Sequence, residues 1–232
     1  MDSPRGTPEL EITAVVLAGG RGVRLGRRKE TVRLPSHPGA PPSPTLLDLQ
    51  LHRWSSLVPR LAVSAREPLP QPLPPGVETI LDPPEATSVI DALRAILAHL
   101  APRGDAAWVV AVDCPIVPPT IARTVISAWE PGRSIFITTD CGPEMLCGLY
   151  DPSALSGIDA LIESGERRLS RITEEVPSRV LLYPADFPPL GTTTAVDLLA
   201  ARLGPFHNVN HPADLTLLEQ ALTSLPEGTP PL

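Results

Sequence analysis

Ile12-Thr13-Ala14-Val15-Val16-Leu17-Ala18-Gly19-Gly20 is the stretch that decides the fold. The apolar run from Ile12 to Ala18 is too short for a helix and rich in valine, so it predicts a buried parallel strand ended by two glycines. Leucines and Trp54 at helical spacing predict a helix over Thr45 to Leu57, and short strands are expected at Leu61 to Ser64 and Val77 to Leu81. A helix follows from Thr87 to Leu100, capped by Thr87 or Ser88. Ala107 to Val112 then reads as a buried strand and Pro118 to Trp129 as a helix. Strands at Ser134 to Thr138, Met145 to Tyr150 and Arg179 to Tyr183 alternate with helices near Ser153 to Glu163 and Leu169 to Val176. Helices at Ala195 to Leu203 and Pro212 to Leu222 close the chain. Strand and helix in alternation predict an α/β fold, three layers deep, around a mostly parallel, doubly wound sheet.

With 232 residues, 42% of them hydrophobic, the chain suits one domain over residues 1–232, with flexible ends at 1–10 and 224–232. No apolar run reaches the roughly 20 residues of a membrane span, and the N-terminal stretch carries Pro4, Pro8 and Glu9 where a secretory signal is apolar. A soluble, cytoplasmic protein is expected. Cys114, Cys141 and Cys147 are odd in number and form no CxxC pair, against both a disulfide framework and a zinc site. A net charge of −7 gives no general attraction to nucleic acid. The 31 prolines gather at 35–44, 68–75 and 226–231, between elements and in the tail, where they predict stiff surface loops or a frayed end.

Against that acidic background Arg21, Arg24, Arg27, Arg28, Lys29 and Arg33 crowd together. The cluster is either a solvated basic loop or an anion site. Lys29 is the sole lysine, and Asn208 and Asn210 are the sole asparagines. A coding bias against both types would leave survivors where no substitute serves, and a compact ammonium differs physically from a guanidinium at a tight phosphate site. Leu17-Ala18-Gly19-Gly20 directly follows the first strand, where glycines let backbone amides approach a phosphate; a tight strand exit would need them equally. Arg24, Gly26 and Lys29 extend the pattern to LAGGxxxRxGxxK. The run ending in Asp113 puts a carboxylate at the carboxyl edge of a central strand, where ligands bind in such sheets. Mg²⁺ takes one or two carboxylates plus substrate phosphates, so Asp113 suits it, although a helix cap after Pro115 would use the same residue. Cys114 reads as a small buried hydrophobe, and His207 and His211 as loop or capping residues lacking a third ligand.

Four segments taken together resemble the MobA-like molybdenum cofactor guanylyltransferases: LAGGRGVRLGRRK at 17–29, VVAVDCPIVP at 109–118, MLCGLYDPSAL with GERRL at 145–155 and 165–169, and FHNVNHPADL at 206–215. The resemblance implies a Rossmann-like nucleotidyltransferase of the nucleotide-diphospho-sugar transferase type, using Mg²⁺ and GTP to add GMP to molybdopterin cofactor. It implies that Leu17, Ala18, Gly19, Gly20 and Asp82 hold the nucleotide and that Lys29, Arg24 and Asp113 are catalytic, with Asp113 on the metal. Asn208 and Asn210 would line the pterin-phosphate side, and Asp214 would cap or support. Lys29 and Asp113 are expected on opposite sides of a triphosphate. The partners implied are GTP and molybdopterin cofactor, with molybdoenzymes or other cofactor-biosynthesis proteins, and neither nucleic acid nor membrane. This chain departs from the family at Asp82-Pro-Pro-Glu-Ala-Thr-Ser-Val89, where a Gly-Pro-Leu-Ala-Gly-like turn is usual, and at Ser64-Ala65-Arg66, where an asparagine is expected.

Overall fold

A computed structural model describes residues 11–20, 22–34, 43–226, 228–230 and 232. The expectations for 1–10, Arg21 and the loop at 35–42 fall outside the described residues. In chain order the elements are β1 (Ile12–Leu17), α1 (Leu46–Ser55), β2 (Arg60–Ala65), β3 (Val77–Leu81), α2 (Val89–Leu100), β4 (Ala106–Ala111) and α3 (Pro119–Ser127). They continue with β5 (Ser134–Thr139), β6 (Gly142–Pro143), β7 (Cys147–Tyr150), α4 (Ala154–Glu163), α5 (Ile172–Glu175), β8 (Ser178–Leu182), α6 (Ala195–Leu203) and α7 (Pro212–Thr223).

The sheet runs β3-β2-β1-β4-β7-β5, with β8 outside β5. β1 is parallel to both β2 and β4, in a register that aligns Leu17 with Ser64 and with Ala111. Because the chain goes from β1 one way to β2 and β3, then returns past β1 to β4, strand order reverses between β1 and β4. In an open α/β sheet that is where the carboxyl ends splay apart into a crevice. β7 is antiparallel to β4 and β5, while β8 is parallel to β5, so the sheet is mixed. β6 and β7 form one interrupted strand, broken where Glu144 N donates to Ile137 O and Leu146 O accepts from Ala111 N.

Two apolar layers flank the sheet. Val16, Trp108 and Val110 face α1, α3, α6 and α7 on one side. Val15, Ala107 and Val109 face α2, α4 and α5 on the other. β4 is fully buried along its length, the signature of a strand covered on both faces. Trp54 of α1 meets Trp108 edge-to-face with centroids 5.7 Å apart, a pairing worth about 0.5–1.5 kcal/mol beyond its buried area. The expected helix at Leu169 to Val176 is split into a 3₁₀ turn, Leu169–Arg171, followed by the single turn of α5. In the tail, Leu225 and Leu232 pack partly buried against the core.

Candidate active site

The exit of β1 is wedged between its neighbours: Ala18 N donates to Ser64 O at 2.7 Å, and Leu17 O accepts from Val112 N at 3.0 Å. A Cβ on Gly19 would sit 3.2 Å from Arg66 N and 3.5 Å from Asp82 Oδ2, so glycine keeps this turn close to the ends of β2 and β3. Gly22 is left-handed at φ 58°, and a Cβ there would meet Arg27 O at 1.7 Å. The basic segment therefore folds tightly into two 3₁₀ turns, Val23–Leu25 and Lys29–Thr31. Arg24, on the first, is exposed and does not line the crevice. Glu30 on the second is fully buried and accepts from Arg28 Nε, which fixes where Lys29 begins.

Lys29 Nζ reaches Asp113 Oδ2 in a close ion pair and donates to Asn210 Oδ1 at 2.5 Å. The expectation of opposite sides is thus replaced by direct contact. Val209 N donates to Asp113 O at 2.8 Å, laying the asparagine segment alongside the β4 exit. Asn208 is engaged at both ends of its amide, accepting from Cys114 Sγ at 3.1 Å and donating to Phe206 O at 3.1 Å. Asp214 caps α7, its carboxylate accepting from Asn210 N and His211 N at 2.7 Å each. Burial alone would raise its pKa, but those two amides prevail and hold it below the usual carboxylate range. Burial pushes the Cys114 thiol well up, as expected of a small buried hydrophobe.

The crevice encloses about 360 Å³. Leu17, Gly19, Gly20, Lys29, Asp82 and Asp113 all line it; Ala18 sits buried beneath. Asn210 joins through Lys29, and Asn208 supports the same segment from an exposed position. Burial raises the Asp82 pKa against a hydrogen bond from Ser64 Oγ at 3.3 Å. Residues that sequence reasoning did not select also line the crevice: Ser64, Arg66, Leu146 and the segment Ala86-Thr87-Ser88. Arg66 Nη2 donates to Ala86 O, tying that departing turn to the end of β2. Gln50, buried in α1, donates from Nε2 to Ala111 O at 3.2 Å and Cys114 O at 2.8 Å, bracing the turn that carries Asp113. A polar residue in an apolar helix face was the available signal for Gln50; for Ser64 and Arg66 it was their place at a strand's carboxyl end.

Among the described residues no group of three His, Cys, Asp or Glu could cage a metal. Of the crevice carboxylates, Asp113, beside Lys29, fits a hard cation carried in by nucleotide phosphates, which needs only one or two protein oxygens.

The family model described as a MobA-like NTP transferase domain matches residues 14–179. The chain is 31% identical to the molybdenum cofactor guanylyltransferase of Sinorhizobium fredii over 222 residues, covering 93% of this chain and 94% of that protein. It is 30% identical to the probable molybdenum cofactor guanylyltransferase of Deinococcus radiodurans, covering 90% of this chain and 94% of that protein. Its backbone is similar to that of molybdopterin-guanine dinucleotide biosynthesis protein A from Archaeoglobus fulgidus, with TM-score 0.66, 21% identity, and coverage of 91% of this chain and 98% of that one. It is also similar to 2-C-methyl-D-erythritol 4-phosphate cytidylyltransferase from Thermus thermophilus, with TM-score 0.59, 14% identity, and coverage of 92% and 100%. These two likenesses concern the fold, that of nucleotidyltransferases. With a family match across most of its length and relatives this similar from end to end, the chain belongs to the MobA-like NTP transferase family.

Proposed function

We propose that this chain is a nucleotidyltransferase that transfers GMP from GTP to molybdopterin cofactor and releases pyrophosphate, residues 1–232 acting as one catalytic domain. The observation that carries the reading is the meeting of Lys29, Asp113 and Asn210 at the mouth of the glycine turn. The names of the relatives supply the acceptor and the base.

In this reaction an oxygen of the acceptor's phosphate attacks the α-phosphorus of GTP; the bond to the β-phosphate oxygen breaks and pyrophosphate leaves. Attacker and target are both anions, so the chain's task is to cancel repulsion and hold the line of attack. Mg²⁺, held by Asp113 and the nucleotide's phosphates, would neutralise charge developing on the phosphoryl oxygens. The turn Leu17 to Gly20 holds the nucleotide phosphates with the amides of Gly19 and Gly20, where no side chain obstructs them, the Ala18 amide being spent on Ser64 O. Lys29 moves its ammonium from the Asp113 carboxylate to those phosphates and stays oriented by Asn210 Oδ1. Asp82 and Arg66, beside Gly19 at the ends of β3 and β2, offer an acceptor and a donor that this reading assigns to the nucleoside. Asn208 holds the 206–210 segment through its two bonds, and Asn210 faces the acceptor's phosphate. Arg24, exposed and outside the crevice lining, is assigned at most a long-range attraction for phosphates. The reaction belongs in the cytoplasm, with GTP and molybdopterin cofactor as small-molecule partners and a molybdoenzyme or another cofactor-biosynthesis protein as recipient.

The test is pyrophosphate release with each nucleoside triphosphate, Mg²⁺ and molybdopterin, for the wild type and Asp113→Ala. Release with GTP alone that Asp113→Ala abolishes is expected. Release only with CTP would overturn the base, and no release with any triphosphate would overturn the enzyme.

A further inference from the structure

α3 has two unlike sides. Ile121, Ala122 and Val125 are buried in the core, whereas Thr120, the pair Arg123 and Thr124, and Ser127 recur on successive turns along the side towards β8. β8 is an edge strand that pairs with β5 alone among the described residues, and Arg179 and Leu181, two residues apart, share one of its faces. Helix and strand flank an open surface groove of about 580 Å³, with Asp186 and Pro188 completing its wall. It shares no residue with the nucleotide crevice.

The groove's chemistry is one-sided. Neither Arg123 nor Arg179 has an ion pair among the described residues. The single carboxylate in the wall, Asp186, is already engaged: its Oδ2 accepts from Leu182 N at 2.7 Å, while its own N donates to Leu182 O at 2.8 Å. In a chain of net charge −7, two guanidiniums on separate elements thus line one groove against a single carboxylate, Asp186, leaving the groove net positive. The Leu182–Asp186 bonds also close one end of the β8 edge, which shortens the stretch over which an incoming strand could pair. A missing packing element would want walls apolar throughout; here Thr120, Thr124, Ser127 and the two arginines interrupt the apolar lining of Ala128, Leu181 and Pro188. Thr120 Oγ1, in the first turn of α3, has no hydrogen-bond partner, and a helical threonine has a second χ1 rotamer by which to offer one.

From this geometry we infer that the α3–β8 groove is a second binding site, for a small anion carrying phosphate or carboxylate groups, gripped by Arg123 and Arg179 and finished by the threonine hydroxyls. Guanidinium forks match both anions bidentately.

The experiment is a titration of the ¹⁵N-labelled full chain with inorganic phosphate and, separately, succinate, with sodium chloride at matched ionic strength as control. Saturating amide shifts at Thr120, Thr124 and Arg179 are expected with at least one anion, weakened 10-fold or more in Arg123→Gln/Arg179→Gln. The anion that saturates at the lower concentration identifies a phosphate or a carboxylate source. Responses at Gly19 and Gly20 report the nucleotide crevice separately, and the melting temperature checks that the double variant is folded. Shifts that chloride reproduces, or that survive the double substitution, would overturn the site.

Discussion

At the scale of single residues, the rarest side chains in the sequence turn out to be neighbours: the sole lysine donates to one of the only two asparagines across 181 positions of chain. Scarcity could mark these residues; it could not show that Lys29 rests on Asp113 itself, because an ion pair depends on how two distant turns are aimed. The ammonium fits between a carboxylate and an amide with its side chain only 17% exposed, a space in which the planar, longer guanidinium fork cannot form both contacts. Lys29→Arg is therefore expected to lower kcat/KM about 10- to 100-fold, the range of one charge-assisted hydrogen bond of about 1.5–3 kcal/mol, measured by pyrophosphate release. Unchanged turnover would detach the lysine from the chemistry. The thiols divide just as sharply. Cys114 and Cys147 are buried, with burial pushing both thiols well up, and Cys141 is exposed. A thiol reagent at neutral pH is expected to modify one cysteine rapidly and the other two only on unfolding; rapid modification of Cys114 would show that the Asp113 turn opens.

At the scale of elements, strands and helices were legible because each carries its own period, and the apolar run before Gly19 needed no partner to be recognised. Direction was not. Cys147 to Tyr150 reads the same whether parallel or antiparallel, and its reversal follows from the short hairpin at Gly142, whose consequence is set by where β5 lies. The 3₁₀ turns of the basic segment were equally hidden, since they depend on Gly22 lying against the Arg27 carbonyl. Gly22→Ala would force that backbone apart by more than 1 Å and disturb the turn that buries Leu25 in one apolar layer. A fall of about 100-fold in kcat/KM together with a lowered melting temperature is expected, as misplacement on that scale costs oriented catalysis and a Cβ at positive φ strains the backbone. A second element-scale outcome concerns β3 and α2. The Arg103 guanidinium, with His99, holds the Glu78 carboxyl down at about 2, against an ordinary 4.5. A depressed acid stabilises the fold above its unfolded pKa and loses that contribution as pH falls towards the folded value. Glu78→Gln is thus expected to cost no more than about 1 kcal/mol at pH 7, given the pair's exposure to solvent. The gap to wild type should close between about pH 4.5 and 2 in urea denaturation. A gap that persists at pH 2 would mean the side chain acts by packing.

At the scale of the whole molecule, the crevice is assembled from the carboxyl ends of β1, β2, β3 and β4, with the segment around Asn210 closing over Lys29. A ligand there ties the sheet's centre to residues near the end of the chain, so occupancy must appear in global stability. A nucleotide at 100 times its Kd adds about 2.7 kcal/mol by mass action. For a chain of this size each kcal/mol moves the melting temperature by roughly 2–4 °C, so GTP is expected to raise it by roughly 5–11 °C. If Asp82 accepts from the base, the same concentration of CTP should raise it less, because guanine offers two adjacent N–H donors to one carboxylate where cytosine offers only its exocyclic amine. Asp82→Asn removes the negative acceptor while keeping the side chain's shape and its place beside Ser64. Its GTP shift should fall towards that of CTP, with the phosphate contribution from Lys29 and the glycine turn retained. If Asp82→Asn lowered both shifts equally, the carboxylate would be acting on sugar or phosphate and not on the base, and specificity would then have to reside in the Ala86-Thr87-Ser88 turn that Arg66 holds in place.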